Sequence, residues 1–185
     1  SYGDAWSSQP PMNTLREGLS GSGTQTAALA WGGAIDPGTL QGVTELWNGS
    51  SWTELNDLNQ IKTLDAGAGT VYTSSLSFGG RKDGGDRIAL TESFNGTSWT
   101  EVNDLNTARG QLSGTGSGTS ALAFGGENPG AAVLDETESW NGTSWTEVAD
   151  LPVAIFRPGA AGASNTAALS MGGANASSPN PAKCN

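Results

Sequence analysis

The chain contains 185 residues with a formal net charge of −10, one cysteine and no histidine. Without histidine it lacks an imidazole general base, a Ser-His-Asp triad and any histidine-ligated metal, and a single cysteine excludes an internal disulfide. The acidic charge disfavours binding to nucleic acid or anionic membranes, and the sequence has no apolar run of about 18 residues to span a membrane. Twenty-eight glycines and seven tryptophans favour short strands and turns around large apolar side chains.

A repeat with a period of 46 or 47 residues runs along the chain. The segment T-E-L-W-N-G-S-S-W-T-E-L-N-D-L begins at Thr44, and close copies begin at Thr91 and Thr137. An apolar segment that ends in a double glycine occurs at 27–33, 74–80, 120–126 and 167–173. The unit is rich in Gly, Ser, Thr and Asn and poor in good helix formers, so this period predicts β-structure rather than a helical repeat.

Each unit is predicted to contain about four short strands, which is the content of one β-propeller blade. A Gly/Ser/Ala strand such as 110–116 precedes the apolar strand, and a hairpin follows around an Asn-Gly pair. Asn-Gly suits the positive φ angles of a tight turn, although the turn here can exceed two residues. Four asparagines also begin N-x-S/T sequons, and we interpret the Asn-Gly ones as turn residues rather than glycan acceptors. They are Asn48, Asn95, Asn141 and Asn175.

The recurring pattern resembles the kelch repeat. It combines an apolar strand ending in Gly-Gly, an aromatic before a turn, a Trp about five residues later and a cation ahead of the next unit, with a period near the kelch value of about 50. The resemblance implies an all-β, kelch-like β-propeller. The kelch third-strand aromatic is usually a Tyr followed by Asp, whereas Trp47, Phe94 and Trp140 are followed by Asn. The W-N-G-T-S-W-T-E motif is also similar to repeats in phage tail fibres, other phage structural proteins and secreted microbial proteins.

The spacing of the hairpin tryptophans predicts four blades. Trp6, Trp52, Trp99 and Trp145 are 46 or 47 residues apart, and joining the chain ends preserves a step of 46. We therefore expect a single repeat domain, residues 1–185, in units of approximately 6–51, 52–98, 99–144 and 145–185 plus 1–5. A C-terminal strand near 183–185 and an N-terminal strand at 5–8 would close the ring and cover its edges. A half-ring that dimerises into eight blades and a segment of a longer array remain alternatives.

Eleven large apolar side chains recur in phase and are predicted to form the core between blades. The alternative is that the tryptophans stack on sugars. The predicted core residues are Trp6, Trp52, Trp99, Trp145, Trp47, Phe94, Trp140, Trp31, Phe78, Phe124 and Met171. Cys184 is interpreted as occupying a strand position, with a cross-link to a partner chain as the alternative.

Charged residues also recur with the repeat. The cations Arg16, Lys62, Arg109 and Arg157 are expected to hold loops by donating to backbone carbonyls between blades, and the alternative is that together they bind an anion. Six acidic residues are interpreted as solvated strand faces and loop caps, because no D-x-D-x-D spacing supports a calcium site. They are Glu54, Glu101, Glu147, Asp57, Asp104 and Asp150.

The loops after the double glycines depart from the repeat, and they are expected to emerge on one face of the disc. Loops on a rigid frame carry binding residues more often than the frame itself. The loop 81–89 has three of the eight cations of the chain and is the best candidate contact site. The candidate binding residues are Arg81, Lys82, Asp83, Asp86 and Arg87 in this loop, with Asp36, Glu127 and Asn128 in neighbouring loops.

These observations favour a non-enzymatic structural or adhesion module, with no catalytic residue, cofactor or metal. The resemblance of the repeat motif to phage repeats suggests a surface-exposed virion protein, such as a phage capsid decoration or fibre component, at a virion or extracellular surface. The expected partners are other proteins of a particle or cell surface, with homo-oligomer formation also open, and neither nucleic acid nor membrane insertion is expected. The alternative is a lectin with repeated sugar sites between blades.

Overall fold

The computed structural model describes residues 8–36 and 38–175. This part of the chain is all-β, as predicted, and folds into four antiparallel sheets. The first sheet contains β1 (Ser20–Thr24), β2 (Ala27–Trp31), β3 (Thr44–Trp47) and β4 (Trp52–Glu54). The second contains β5 (Ala66–Val71), β6 (Ser74–Phe78), β7 (Thr91–Phe94) and β8 (Trp99–Val102). The third contains β9 (Ser113–Ser117), β10 (Ser120–Phe124), β11 (Thr137–Trp140) and β12 (Trp145–Glu147), and the fourth contains β13 (Gly159–Ser164) and β14 (Ala167–Met171).

Strands pair in chain order within each sheet, as in a meander. Three sheets therefore have the four strands that the sequence predicts: a small-residue strand, an apolar strand, the T-E-x-aromatic strand and the W-T-E strand. The sheets begin at Ser20, Ala66 and Ser113. A sequence unit counted from Trp to Trp consequently runs from the outer strand of one sheet to the third strand of the next.

The Asn-Gly pairs lie in four-residue turns between the third and fourth strands. In the first turn, Asn48 accepts hydrogen bonds at Oδ1 from the backbone N–H groups of Ser50 and Ser51, both at 3.0 Å. Gly49 has a φ of 96°, which side chains with a Cβ rarely adopt. The turns at Asn95 and Asn141 repeat this geometry. Each asparagine thus has a structural role as a turn former.

The first strands of the four sheets lie side by side in the order β1, β5, β9, β13. Together they line a cavity of about 320 Å³. Its lining residues are Gly21, Gly23, Gly67, Ala68, Gly69, Thr70, Gly114, Thr115, Gly116 and Gly162. Closure of a ring is not seen within 8–36 and 38–175, and the segments expected to close it, 5–7 and 183–185, lie outside the described residues together with Trp6 and Cys184.

Large rings fill the spaces between consecutive sheets. Trp31 meets Trp99 of the second sheet edge-on at a centroid distance of 5.1 Å, and Phe78 meets Trp145 of the third sheet at 4.8 Å. Among the recurring apolar residues, Trp52 and Met171 are half-buried. The fully buried ones are Trp31, Trp47, Phe78, Phe94, Trp99, Phe124, Trp140 and Trp145. In the described part of the chain, no helix has the length and apolar character needed to cross a membrane.

Candidate functional site

Three of the four recurring cations are buried and donate hydrogen bonds to backbone carbonyl oxygens. Arg16 donates from Nη1 to the backbone oxygens of Gly32 at 2.8 Å and of Val43. Arg109 donates to the carbonyl oxygens of Glu136 at 2.6 Å and Ala123 at 3.4 Å. Lys62 occupies the same place, with longer contacts to two carbonyl oxygens. As predicted, these cations donate to backbone carbonyls, but the carbonyls belong to the sheet that follows each cation.

The prediction that Arg157 belongs to this series is wrong. The position one period after Arg109 is Ile155, which is buried. The carbonyl oxygen of Ile155 accepts a hydrogen bond from Gly126 N, and the carbonyl oxygen of Arg109 accepts the equivalent bond from Gly80 N. Arg157 lies two residues further on and is exposed. Arg157 lies 48 residues after Arg109, which departs from the period of 46 or 47 that joins the members of the series.

A buried glutamate lies in the third strand of each of the first three sheets, and it pairs directly with Arg16 and Arg109. Glu138 pairs with Arg109 at 3.0 Å and accepts at Oε2 from Asn106 N at 2.7 Å, so it ties the incoming segment to its sheet. Burial lowers the pKa of Arg109 from its ordinary value, and the Glu138 charge opposes this shift. Glu45 and Glu92 make the equivalent backbone contacts. Sequence reasoning missed these glutamates, although their recurrence two residues before an aromatic was a usable signal.

The loops after the double glycines emerge at the same edge of each sheet. Ala34, Arg81 and Glu127 hold equivalent positions, and each forms two isolated β-bridges, one to the incoming segment and one to its own loop. Ala174 bridges to Phe156 at the fourth position. We call the surface formed by these loops and the incoming segments the loop face.

The loop face contains a pocket of about 450 Å³, which we call the axial pocket. It is lined by Glu17, Gly18, Ala34, Leu40, Thr63, Leu64, Arg81 and Arg157. Backbone hydrogen bonds build its wall from one sheet to the next: Leu64 N donates to Gly18 O at 2.9 Å, Gln111 N to Leu64 O at 2.9 Å, and Arg157 N to Gln111 O at 2.7 Å. A charged residue of the second loop thereby shares a pocket with residues of the first and fourth units.

Ion pairs organise the other charges of the second loop. Arg87 donates to Glu127 at 2.6 Å, and this carboxylate also accepts from Gln111 at 2.6 Å. Lys82 Nζ lies 3.6 Å from Asp86 Oδ2; the Lys82 side chain is half-buried and that of Asp86 is exposed. Arg87 and Glu127 thus pair across two loops, whereas Lys82 and Asp86 pair within the second loop.

Two further candidates make contacts only within their own loop, as far as the described structure extends. Asp36 caps its loop by accepting from Gly38 N and Thr39 N at 3.0 Å, and the hydrogen bond from Gly38 is the main reason its pKa is lowered. Asn128 accepts from Ala132 N at 3.0 Å. A shallow depression of about 290 Å³ adjoins the axial pocket. Its lining is Gly38, Leu40, Arg81, Lys82, Asp83, Gly84 and Gly85.

The solvent-reachable cations of the described chain all lie on the loop face. Of the eight lysines and arginines, Arg16, Lys62 and Arg109 are buried, and Lys183 lies outside the described residues. The remaining four are Arg81, Lys82, Arg87 and Arg157. In a chain of net charge −10, the loop face is therefore electrostatically distinct from the rest of the surface. Sequence reasoning placed three of these cations in the candidate site and assigned Arg157 to the series of cations that hold loops.

Comparison of the sequence with protein-family models gives no match. Comparison with curated proteins gives no significant match either.

Proposed function

We propose that this chain is a non-enzymatic structural or adhesion module, a four-bladed kelch-like β-propeller that contacts other proteins through its loop face. The observation that carries the proposal is the gathering of Arg81, Lys82, Arg87 and Arg157 on the loop face of an otherwise acidic chain. The sheets are built from repeated residues, whereas these cations depart from the repeat. A surface of a virion or cell is the proposed location, on the strength of the resemblance to phage structural repeats.

Lys82 provides a direct test of the contact surface. Its side chain is 43 % exposed, whereas the other lysine of the described chain, Lys62, is fully buried. Amine-reactive cross-linking of native particles or cells should yield cross-links from Lys82 to another protein. The variant Lys82→Arg keeps the charge and should abolish those cross-links. Recovery of Lys82 only as dead-end products, with no partner in reach, would contradict the proposal.

An unsatisfied oxygen supports the closed ring. Trp99 donates from Nε1 to Thr44 Oγ1 of the preceding sheet at 2.9 Å, and Trp145 donates to Thr91 Oγ1 at 3.1 Å. The equivalent Thr137 Oγ1 is buried and has no partner within the described residues. A buried polar atom without a partner destabilises a fold by about 1–3 kcal/mol. The next tryptophan in the cyclic series is Trp6, and we propose that its indole N–H is the donor that Thr137 lacks.

A coordinated set of replacements also supports closure. Asn106 and Arg109, in the segment that leads into the third sheet, both donate hydrogen bonds to the buried Glu138 of that sheet. The residues 46 positions later are Pro152, Ile155 and Cys184. All three partners change together to residues that carry no charge at neutral pH, because Cys ionises near pH 8.5. Retaining one charge without its partner would be costly in a buried site. This pattern is expected if a strand at 183–185 is added to β14 in the fourth sheet.

A double-mutant cycle tests the closure. The variants Trp6→Phe and Thr137→Val each remove one side of the proposed hydrogen bond, and we expect a coupling of about 0.5–1.5 kcal/mol in the free energy of unfolding. The cycle of Trp145→Phe with Thr91→Val removes an equivalent bond that the structure contains, and it is the matched control. Coupling in the control cycle together with none for Trp6 and Thr137 would exclude this closure.

Sugar binding is a second candidate function. A depression of about 460 Å³ lies between the second and third sheets, lined by Glu101, Val102, Asn103, Trp140, Gly142 and Thr143. It offers carboxylate and amide groups of the kind that bind sugar hydroxyls. A glycan array with the wild type and Asn103→Ala distinguishes the candidates: specific binding that the variant loses favours a lectin, and an array without binding argues against one.

A further inference from the structure

We propose that the axial pocket binds a carboxylate group of a partner protein, an acidic side chain or a C-terminal carboxylate, through Arg81 and Arg157. This inference rests on the proposed contact role of the loop face and specifies its chemistry. Four features carry it: the unpaired guanidinium of Arg81, the fixed orientation of Arg157, the departure of both residues from the repeat, and the charge and shape of the pocket.

Arg81 has hydrogen-bonding capacity that the described chain does not use. Its Nε is buried and without a partner, and no ion pair or side-chain hydrogen bond involves its guanidinium within 8–36 and 38–175. Its backbone is held firmly, because Arg81 N donates to Thr63 O at 2.7 Å and Thr63 N donates to Arg81 O at 3.0 Å. A buried donor of this kind is expected to have an acceptor, and a ligand in the pocket would supply it.

Arg157 is oriented by two contacts that leave its terminal nitrogens available. Its Nε donates to Gln111 Oε1, and its guanidinium carbon lies 5.9 Å from the centroid of the Phe156 ring. In the described structure, neither Nη atom has a hydrogen-bond partner. Arg157 lines the pocket, and the outer edge of its guanidinium, the part that binds carboxylates in a bidentate manner, is left without a partner among the described residues.

The repeat requires neither arginine. The positions equivalent to Arg81 are Ala34, Glu127 and Ala174, and those equivalent to Arg157 are Gly18, Leu64 and Gln111. Because the repeat forms with small, apolar, acidic or amide side chains at these places, it does not require the two arginines to fold. Two independent departures from the repeat, from different loops and different units, meet in one pocket.

The charge and shape of the axial pocket favour a monoanion with an apolar carbon chain. Two arginines and one carboxylate, that of Glu17, leave a local charge of +1, which matches a carboxylate better than a doubly charged phosphate. Leu40 and Leu64 supply apolar lining that suits the methylene groups of an acidic side chain. An Arg-carboxylate contact in a partly enclosed pocket is also stronger than the same contact in open water.

Nuclear magnetic resonance of the full chain tests this site with acetate as the probe. In ¹H-¹⁵N spectra at constant ionic strength, acetate should shift the Nε–H signals of Arg81 and Arg157 with a common saturating dependence. Acetamide, a neutral isostere, should leave these signals in place. The inference would be overturned if acetate moved neither signal, or if inorganic phosphate bound more tightly than acetate.

Substitutions make the test specific to the two arginines. Arg81→Gln and Arg157→Gln should each weaken acetate binding about tenfold or more, because each removes a charge-assisted contact. Lys82→Gln is the matched control, since it removes a neighbouring cation that is paired with Asp86 and does not line the axial pocket. The backbone amide spectrum of each variant checks that the fold is retained. Unchanged acetate affinity in either arginine variant would refute the assignment.

The two proposals can fail separately. Cross-links from Lys82 to a partner without any acetate site would leave the contact role standing and remove the carboxylate site. An acetate site without a protein partner at the loop face would do the reverse.

Discussion

Buried glutamate side chains in this protein bind the segment that connects one sheet to the next. Glu138 is 2 % exposed and binds both Arg109 and the backbone of Asn106 and Thr107, while Glu147, its cross-strand neighbour, is exposed. The same residue type therefore has two different roles on adjacent strands. The difference arises from position in the sheet, because Glu138 lies in the third strand against the incoming segment, whereas Glu147 lies in the outer fourth strand.

Replacing Glu138 by Gln should lower the free energy of unfolding by about 3–5 kcal/mol, because it leaves the buried charge of Arg109 without its partner. The exposed Glu147→Gln is the control and should change stability by no more than about 0.5 kcal/mol. Urea denaturation of both variants measures the effect. Equal stabilities of the two variants would show that the buried pair does not tie the connection to its sheet.

Asp65 should make stability depend on pH. Its Oδ2 accepts from Trp31 Nε1 at 2.9 Å and from Ser77 Oγ at 2.6 Å, and burial raises its pKa while Lys62 opposes the shift. The folded state thus holds the Asp65 proton more tightly than the unfolded state does. Its contribution to stability is full below about pH 4 and is lost as the pH rises through the raised pKa.

The measurement compares wild type with Asp65→Asn by chemical denaturation between about pH 4 and pH 8. This window begins near the ordinary aspartate pKa of about 4 and extends upward, in the direction of the shift. The stability of the wild type relative to the variant should fall as the pH rises. A difference that stays constant, or that grows in favour of the wild type, would contradict the raised pKa.

At the scale of the strands, small residues allow one sheet to approach the next. A Cβ on Gly114 of β9 would lie 2.3 Å from Phe78 Cζ of the neighbouring sheet, and a Cβ on Gly67 of β5 would lie 2.6 Å from Trp31 Cζ2. Trp31 and Phe78, each at the end of an apolar strand, thus pack on a glycine of the following sheet. This close approach explains why the first strand of each sheet is rich in glycine.

Gly114→Ala should destabilise the protein by about 1–3 kcal/mol, because the added methyl group overpacks against Phe78. Gly38→Ala is the control, since the nearest atom to its added Cβ lies 3.9 Å away. Thermal unfolding of both variants compares them. A Gly114→Ala variant as stable as Gly38→Ala would mean that the sheets can separate without loss.

At the scale of the whole molecule, the proposed four-bladed ring predicts a compact monomer. A compact chain of this length has a radius of gyration of about 16 Å, and a dimer of twice the length has about 21 Å. Small-angle scattering of the purified chain should give the smaller value, with no dependence on concentration. The larger value would favour the eight-bladed dimer.

Much of the fold follows from the sequence by itself. The 46- or 47-residue period, the Asn-Gly turns and the alternation of small and apolar strands predicted all-β sheets of four strands, and three such sheets are present. These features act locally, through turn geometry and pairing between strands adjacent in the chain, so a repeat in the sequence is enough to predict them. The second loop was also recognisable as a departure from this repeat.

Only the tertiary structure decided which charges are buried and which are exposed. Arg109 and Arg157 have the same chemistry, but one lies against carbonyl oxygens of its sheet and the other reaches the axial pocket. Arg81 and Arg157 line the same pocket, and Thr137 Oγ1 lacks a partner among the described residues, because of how segments that are far apart in the chain pack together. Local propensity carries no information on such contacts, because burial and partner choice are set by how the sheets pack on one another.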